Sequence, residues 1–320
     1  MAGVAPGVAE EEAFVPQAPR VPFSYERAQS LEPQGLLLSD GRTLEYWTDG
    51  DPGSGPAVVL IHGQWARGDF WIGPPRDDLY LIMPSRPNYG GSSPHPEYNY
   101  TSFADDVRQL MDHLGVQRAH VLGGSSGGPC ALAIKASLGD RVGRCVLISS
   151  DTENSKAEDL SCCGPTGCCS CCLPCCMNSC LAPMLAGLDP EAMWKDVEAG
   201  NAKGLDITDA EVKTWKLLGK ERMVHGTGST KAAASGGGLG PTADYILESK
   251  PWEGDWVQHL ADLDDVELWH GTEDHTVPFS SMQVIANRVP KARTHAVQGY
   301  GHDLGLLMLE PRLDELAMLR

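Results

Sequence analysis

The chain has 320 residues, 42% of them apolar and 21% charged, with a formal net charge of −18. That length buries a large core and fits one domain with an insertion, or two modest domains. The acid excess excludes nucleic acid and anionic lipid as electrostatic partners, and no apolar run approaches the roughly eighteen residues of a transmembrane helix.

Residues 1–34 hold several prolines and the run Glu10-Glu11-Glu12, and read as a mobile tail or surface wrap. This start lacks the basic and apolar regions of a signal peptide, so a cytoplasmic location is expected. Leu36-Leu37-Leu38, a Ser39-Asp40-Gly41 turn and Thr43 to Trp47 predict a hairpin. Ala57 to Ile61 is continuously apolar, as suits a parallel strand buried on both faces. Leu79 to Met83 predicts the next strand. Thr101 then caps a helix whose Phe103, Val107, Leu110, Met111 and Leu114 recur at helical spacing before Gly115.

The apolar run Ala119 to Leu122 leads into Gly123-Gly124-Ser125-Ser126-Gly127-Gly128-Pro129, then a buried helix to about Leu138 and a strand to Ser149. Far downstream come a strand at Val266–Trp269, a helix at Ser281–Val289, a strand at Thr294–Val297 and a closing helix from Leu304. Strand and helix alternate, which predicts an α/β fold with a mostly parallel central sheet covered on both faces. The core is expected over 35–150 and 256–320.

Residues 151–255 break the alternation and read as an inserted helical lid. Asp189-Pro190-Glu191 starts one helix. Thr208 with Glu211 forms a capping box for a second, carrying Val212, Trp215 and Leu218. Gly236 to Gly240 reads as a flexible link to a third helix from about Pro241.

Of the 11 cysteines, Cys130 and Cys145 lie in core-like runs and the other nine fall between Cys162 and Cys180. So local a cluster is no global disulfide framework. Three readings stand: a surface insertion without a dedicated role; acylation, giving membrane contact through the lid; and zinc, through the C-x-x-C spacings Cys168/Cys171 and Cys172/Cys175. No metal and no cofactor are expected at the reacting site.

A serine between strand and helix, with glycine two places before and two after, is a nucleophile elbow. Glycine spacing leaves Ser125 (Gly123, Gly127) and Ser126 (Gly124, Gly128) both open. The stretch resembles the V-L-G-x-S-x-G-G elbow of the α/β-hydrolase fold superfamily, and that resemblance points to Ser125. It extends over about Leu36 to Ala317, except roughly 153–238. In this fold the order is serine, acid, histidine. Gly271-Thr272-Glu273-Asp274-His275-Thr276-Val277-Pro278 resembles the acid loop and implies Asp274; Glu273 beside it and Asp151 after an earlier strand are the competing carboxylates. Gly299-Tyr300-Gly301-His302 resembles the base loop and implies His302.

His62-Gly63-Gln64 resembles the H-G-x loop, implying that the Gln64 N–H joins the Ser126 N–H in an oxyanion hole. Ser85 to Ser92 resembles the D-x-P-G-x-G-x-S turn, with Ser85 and Asn88 in place of the common aspartate and glycine. Trp65 and Phe70 are expected in the substrate pocket. Together these imply a serine hydrolase acting on a small-molecule acyl substrate through an acyl-enzyme on Ser125, of carboxylesterase type. A proline-iminopeptidase-like peptidase and a non-catalytic ligand-binding protein on the same fold are the alternatives.

Overall fold

The computed structural model describes residues 14–156, 176–201 and 208–319. Its strands are β1 (Gln34–Leu37), β2 (Thr43–Asp49), β3 (Ala57–Ile61), β4 (Tyr80–Pro84), β5 (Ala119–Gly124), β6 (Val142–Ile148), β7 (Val266–Gly271) and β8 (Arg293–Val297). They form one sheet in the order β1-β2-β4-β3-β5-β6-β7-β8. β1 and β2 run antiparallel to their neighbours; every pairing from β4 to β8 is parallel. All residues of β3, β4, β5 and β7 are buried, the outcome of covering both faces of a parallel sheet.

The helices are α1 (Tyr25–Ser30), α2 (Tyr100–His113), α3 (Gly127–Leu138), α4 (Ala182–Ala186), α5 (Pro190–Ala199), α6 (Asp209–Leu218), α7 (Lys220–Ser235), α8 (Leu239–Glu248), α9 (Ser280–Arg288) and α10 (Leu304–Ala317). One apolar layer joins α2, α3 and Ile285 of α9 to the sheet, with Trp252 and Trp256. The opposite layer holds Trp71, Trp215, Trp269 and the α10 leucines. Helices α4 to α8 lie in sequence between β6 and β7. α8 is fastened to the loop after β4 by a buried, two-bond ion pair, Arg86 Nη1 to Asp244 Oδ1 at 2.7 Å and Nη2 to Oδ2 at 2.8 Å.

Several local expectations change. Thr101 does not cap α2; Asn99 does, accepting from the Ser102 N–H while the Ser102 hydroxyl accepts from the Asn99 N–H. An asparagine can close that box because its amide oxygen reaches the third helical N–H. From Phe14 onward the N-terminal segment wraps the fold. The Phe14 ring meets Trp269 edge-on at 5.5 Å, Tyr300 Oη donates to the Pro16 carbonyl, and Arg27 pairs with Asp49. Helix α7 has no counterpart in the sequence reading, because Gly226, Thr227, Gly228, Ser229 and Thr230 interrupt its apolar spacing. Helix α8 starts at Leu239, directly after the Gly236–Gly238 turn.

Cys130 and Cys145 are buried, and burial pushes their thiols up to about 11 and about 12. Cys180 is exposed and Cys176 half-buried. Cys162, Cys163, Cys168, Cys169, Cys171, Cys172 and Cys175 lie outside the described residues. Among the described residues no helix is long and apolar enough to cross a membrane.

Candidate active site

Four loops converge at the carboxyl ends of the parallel strands, where open α/β sheets bind ligands. The loop after β5 carries Ser125, whose backbone has φ +53°, the left-handed region an elbow demands. Its flanking glycines are steric requirements. A Cβ at Gly123 would stand 2.3 Å from the Gly127 carbonyl oxygen, and one at Gly127 would stand 2.5 Å from that of Ile61. Gly128 is also closed, against Ser150 Oγ at 2.0 Å, and Gly124 is tight, against the Trp71 ring at 3.0 Å, so the glycines alone do not separate the two registers.

The two serines nevertheless have different surroundings. Ser125 Oγ lies 3.1 Å from His302 Nε2, and His302 Nδ1 lies 2.9 Å from Asp274 Oδ2. Ser126 Oγ donates instead to Asp151 Oδ2 at 3.3 Å and is buried. Asp151 also accepts from Ser125 Oγ at 3.5 Å and meets Lys156 Nζ at 3.5 Å; no bond joins it to His302. Of the competing carboxylates, then, Asp274 is the one set behind the imidazole.

Asp274 is fixed from several sides. Its Oδ1 accepts the Thr276 and Val277 N–H groups at 3.0 and 2.8 Å, and its Oδ2 meets His270 Nε2 at 3.2 Å. Burial opposes its charge, but His302, His270 and the Val277 N–H outweigh burial and hold the carboxyl well below its ordinary range. For His302 burial likewise disfavours the imidazolium. Asp274, with Asp303 and Asp151, reverses the balance and raises it to about 9.

The loop after β3 passes against Ser125: a Cβ at Gly63 would stand 2.9 Å from Ser125 Cβ. His62 shapes that loop, its Nδ1 at 2.7 Å from the Gly63 carbonyl and its Nε2 accepting the Arg86 N–H at 2.9 Å. Burial, then Arg86, keeps His62 well below the usual histidine value, so Nδ1 carries the proton. The Gln64 side chain turns to Glu248 Oε2 at 3.2 Å. Ser126 precedes the first turn of α3, so its amide belongs to the helix N-terminus. In the turn after β4, Asn88 has φ +70°, which explains why glycine is common there; its Oδ1 accepts the His95 N–H. Ser85 Oγ donates to Glu45 and accepts the Gly68 N–H.

A cavity of about 200 Å³ opens on Ser125 and His302, walled by Gln64, Phe70, Trp71, Ile148, Asp303 and Leu306 among others. Phe70 stands where expected. Trp65 does not line this cavity; its backbone sits at φ +52°, and Ala66 and Trp71 form that wall. The sequence reading also missed two residues that fasten the His302–Asp303 segment. Glu211 Oε1 accepts the His302 N–H at 2.7 Å, and Trp215 Nε1 donates to Asp303 Oδ2 at 2.6 Å. Both sit on α6, one turn apart, and the Thr208–Glu211 capping box was the legible trace of the first.

Residues 56–161 match the family model described as alpha/beta hydrolase fold. A 2-hydroxy-6-oxo-6-phenylhexa-2,4-dienoate hydrolase of Comamonas testosteroni is 33% identical over 107 residues, 31% of this chain and 37% of its own length. A fluoroacetate dehalogenase of Burkholderia sp. is 36% identical over 89 residues, covering 24% and 28%. These matches are partial: this chain spans about a third of the relatives it resembles. Among solved structures, an esterase from Rhodococcus sp. ECU1013 superposes over 91% of this chain and 100% of its own with TM-score 0.57 at 19% identity. A bromoperoxidase from Bacillus anthracis does so over 90% and 98% with TM-score 0.59 at 20% identity. By its sheet order and these neighbours the chain has the α/β-hydrolase fold, and the family-model match places residues 56–161 within that fold.

Proposed function

We propose that the protein is a serine hydrolase that cleaves small carboxylic esters through an acyl-enzyme on Ser125. The observation that carries this reading is the relay Ser125 Oγ–His302 Nε2 at 3.1 Å and His302 Nδ1–Asp274 Oδ2 at 2.9 Å, open to a cavity. Asp274 fixes the proton on Nδ1, which leaves Nε2 to take the Ser125 proton as Oγ attacks the acyl carbon. The oxyanion forms beside the Ser126 and Gln64 N–H groups; each such donor is worth about 3 kcal/mol of barrier. The C–O bond to the alcohol breaks as His302 returns the proton to the leaving oxygen. Water then repeats the sequence on the acyl-enzyme, releasing the acid and restoring Ser125.

A serine in the elbow favours ester chemistry over carbon–halogen displacement, for which a carboxylate nucleophile is the ordinary choice. The cavity of about 200 Å³ suits short acyl groups. A series of p-nitrophenyl esters from acetate to palmitate tests this: turnover should peak at two to four carbons and vanish in Ser125→Ala. A peak at long chains, or Ser125→Ala turning over at the wild-type rate, would overturn the reading.

A further inference from the structure

The wall of the reaction cavity carries a carboxylate that makes no bond in the Ser125–His302–Asp274 relay, although its charge helps to raise His302. Asp303 follows the base in sequence and lines the same cavity as Ser125 and His302. Trp215 Nε1 donates to its Oδ2 at 2.6 Å, which fixes the carboxylate in orientation; burial pushes the carboxyl up, and His302 and the Trp215 N–H act against that rise in favour of the anion. Among the described residues no lysine or arginine nitrogen lies within 4 Å of it, and no lysine or arginine lines the cavity. Arg222 does not line the cavity; its Nη2 donates to the Phe70 carbonyl, its Cζ stands 5.3 Å from the Phe70 ring centre, and its charge is shared between Asp69 and Asp303. Phe70 and Trp71 supply aromatic surface across the cavity.

A fixed anion, aromatic walls and no lining cation other than the base form an environment that favours a positively charged guest and opposes a negative one. The chain's net charge of −18 acts in the same direction at long range, drawing cations toward the protein. Asp151, buried and 3.5 Å from Ser125 Oγ, adds to that field, offset in part by Lys156 at 3.5 Å. We propose that Asp303 is a specificity-determining residue that selects ester substrates bearing an ammonium group within a few bonds of the scissile carbonyl. This rests on the serine-hydrolase reading of the site and names its substrate class.

The test compares two thioesters of the same shape, acetylthiocholine and its carbon analogue 3,3-dimethylbutyl thioacetate, in the full chain and in Asp303→Asn. Asparagine keeps an oxygen for Trp215 and removes only the charge. The wild type should favour the cationic thioester at least tenfold in kcat/KM, about 1.4 kcal/mol, and Asp303→Asn should reduce that preference below threefold while the neutral thioester still turns over. A ratio near one in the wild type, or a ratio that Asp303→Asn leaves unchanged, would overturn the proposal. Should Asp303→Asn fail to fold, the wild type alone decides: choline should slow fluorophosphonate labelling at concentrations at least tenfold below those of 3,3-dimethylbutan-1-ol, and equal potency would count against Asp303. Labelling of Ser125 without charge preference defeats this inference alone. Absence of both labelling and turnover defeats the hydrolase reading with it.

Discussion

Glu211 Oε1 accepts the backbone N–H of His302 at 2.7 Å, so a helix between β6 and β7 holds the histidine that the loop after β8 delivers. The contact is tight enough that a Cβ at Gly301 would stand 1.9 Å from Glu211 Oε1. The same carboxylate closes the capping box of α6, where Oε2 accepts the Thr208 N–H at 3.0 Å and the Thr208 hydroxyl.

Removing that side chain should therefore affect stability and turnover together. Glu211→Ala loses a helix cap, about 1 kcal/mol, and leaves the His302 N–H without its acceptor, about 1–3 kcal/mol. Turnover should fall on the order of tenfold to a hundredfold with little change in KM, because the imidazole loses its aim rather than its chemistry. Glu211→Gln keeps an acceptor oxygen and should recover most of the rate. Urea unfolding and steady-state kinetics on the two variants measure both effects.

The pH profile follows from the carboxylates around His302. Asp274 at 2.9 Å, with Asp303 and Asp151 farther off, raises the imidazole to about 9, against burial. In the proposed mechanism His302 accepts the Ser125 proton only when unprotonated, so kcat/KM should climb with pH through about 9. Stability runs the other way. A histidine raised in the folded state contributes fully below its unfolded value of about 6.5 and loses that contribution as pH rises through the folded value. Asp274, held low, contributes above about 3.9 and loses its contribution as pH falls through its folded value. Asp274→Asn should move the activity midpoint down toward 6.5 and cut kcat on the order of 10⁴-fold. Rate profiles and melting curves from pH 5 to 10 check both signs.

Asp151 sits 3.5 Å from Ser125 Oγ yet makes no bond to the imidazole. Asp151→Asn should thus retain the acid–base relay, with kcat changed by no more than about tenfold, a barrier change of about 1.4 kcal/mol. A loss as deep as that of Asp274→Asn would show the acid to have been misassigned. Kinetics of the two asparagine variants side by side provide the comparison.

The glycines offer a contrast in stability. Gly123→Ala and Gly127→Ala put a methyl 2.3 and 2.5 Å from backbone carbonyl oxygens, contacts that only backbone movement relieves; such overpacking costs about 1–3 kcal/mol or more. Gly228, within α7, has nothing within 4 Å of a built Cβ. Gly228→Ala should stabilise the chain by up to about 1 kcal/mol through helix propensity. Thermal melts of the three variants suffice.

The parts of the site that stand on strand ends were legible in the chain, because a buried parallel strand and the tight loop after it each demand a narrow choice of residues. Ser125, Asp274 and His302 all follow such strands, and the structure brings them within hydrogen-bond reach. The helices between β6 and β7 were less legible. α7 buries Gly226, Thr227 and Ser229 beside Met223 and His225, so no apolar period announces it. Asp303 and Trp215 were invisible as a pair for another reason: 88 positions separate them, and only the folded chain makes them neighbours. An aromatic after H-G-x reads as a pocket wall, but the residues lining the cavity include Trp71 and not Trp65.

The central claim is that Ser125, rather than Ser126, is the nucleophile, and it rests on His302 Nε2 at 3.1 Å from one hydroxyl and Asp151 at 3.3 Å from the other. Intact-mass measurement of the wild type, Ser125→Ala and Ser126→Ala after treatment with a fluorophosphonate tests it most directly. One adduct is expected on the wild type, one on Ser126→Ala and none on Ser125→Ala. An unmodified wild type, or an adduct that persists in Ser125→Ala and disappears in Ser126→Ala, would contradict it.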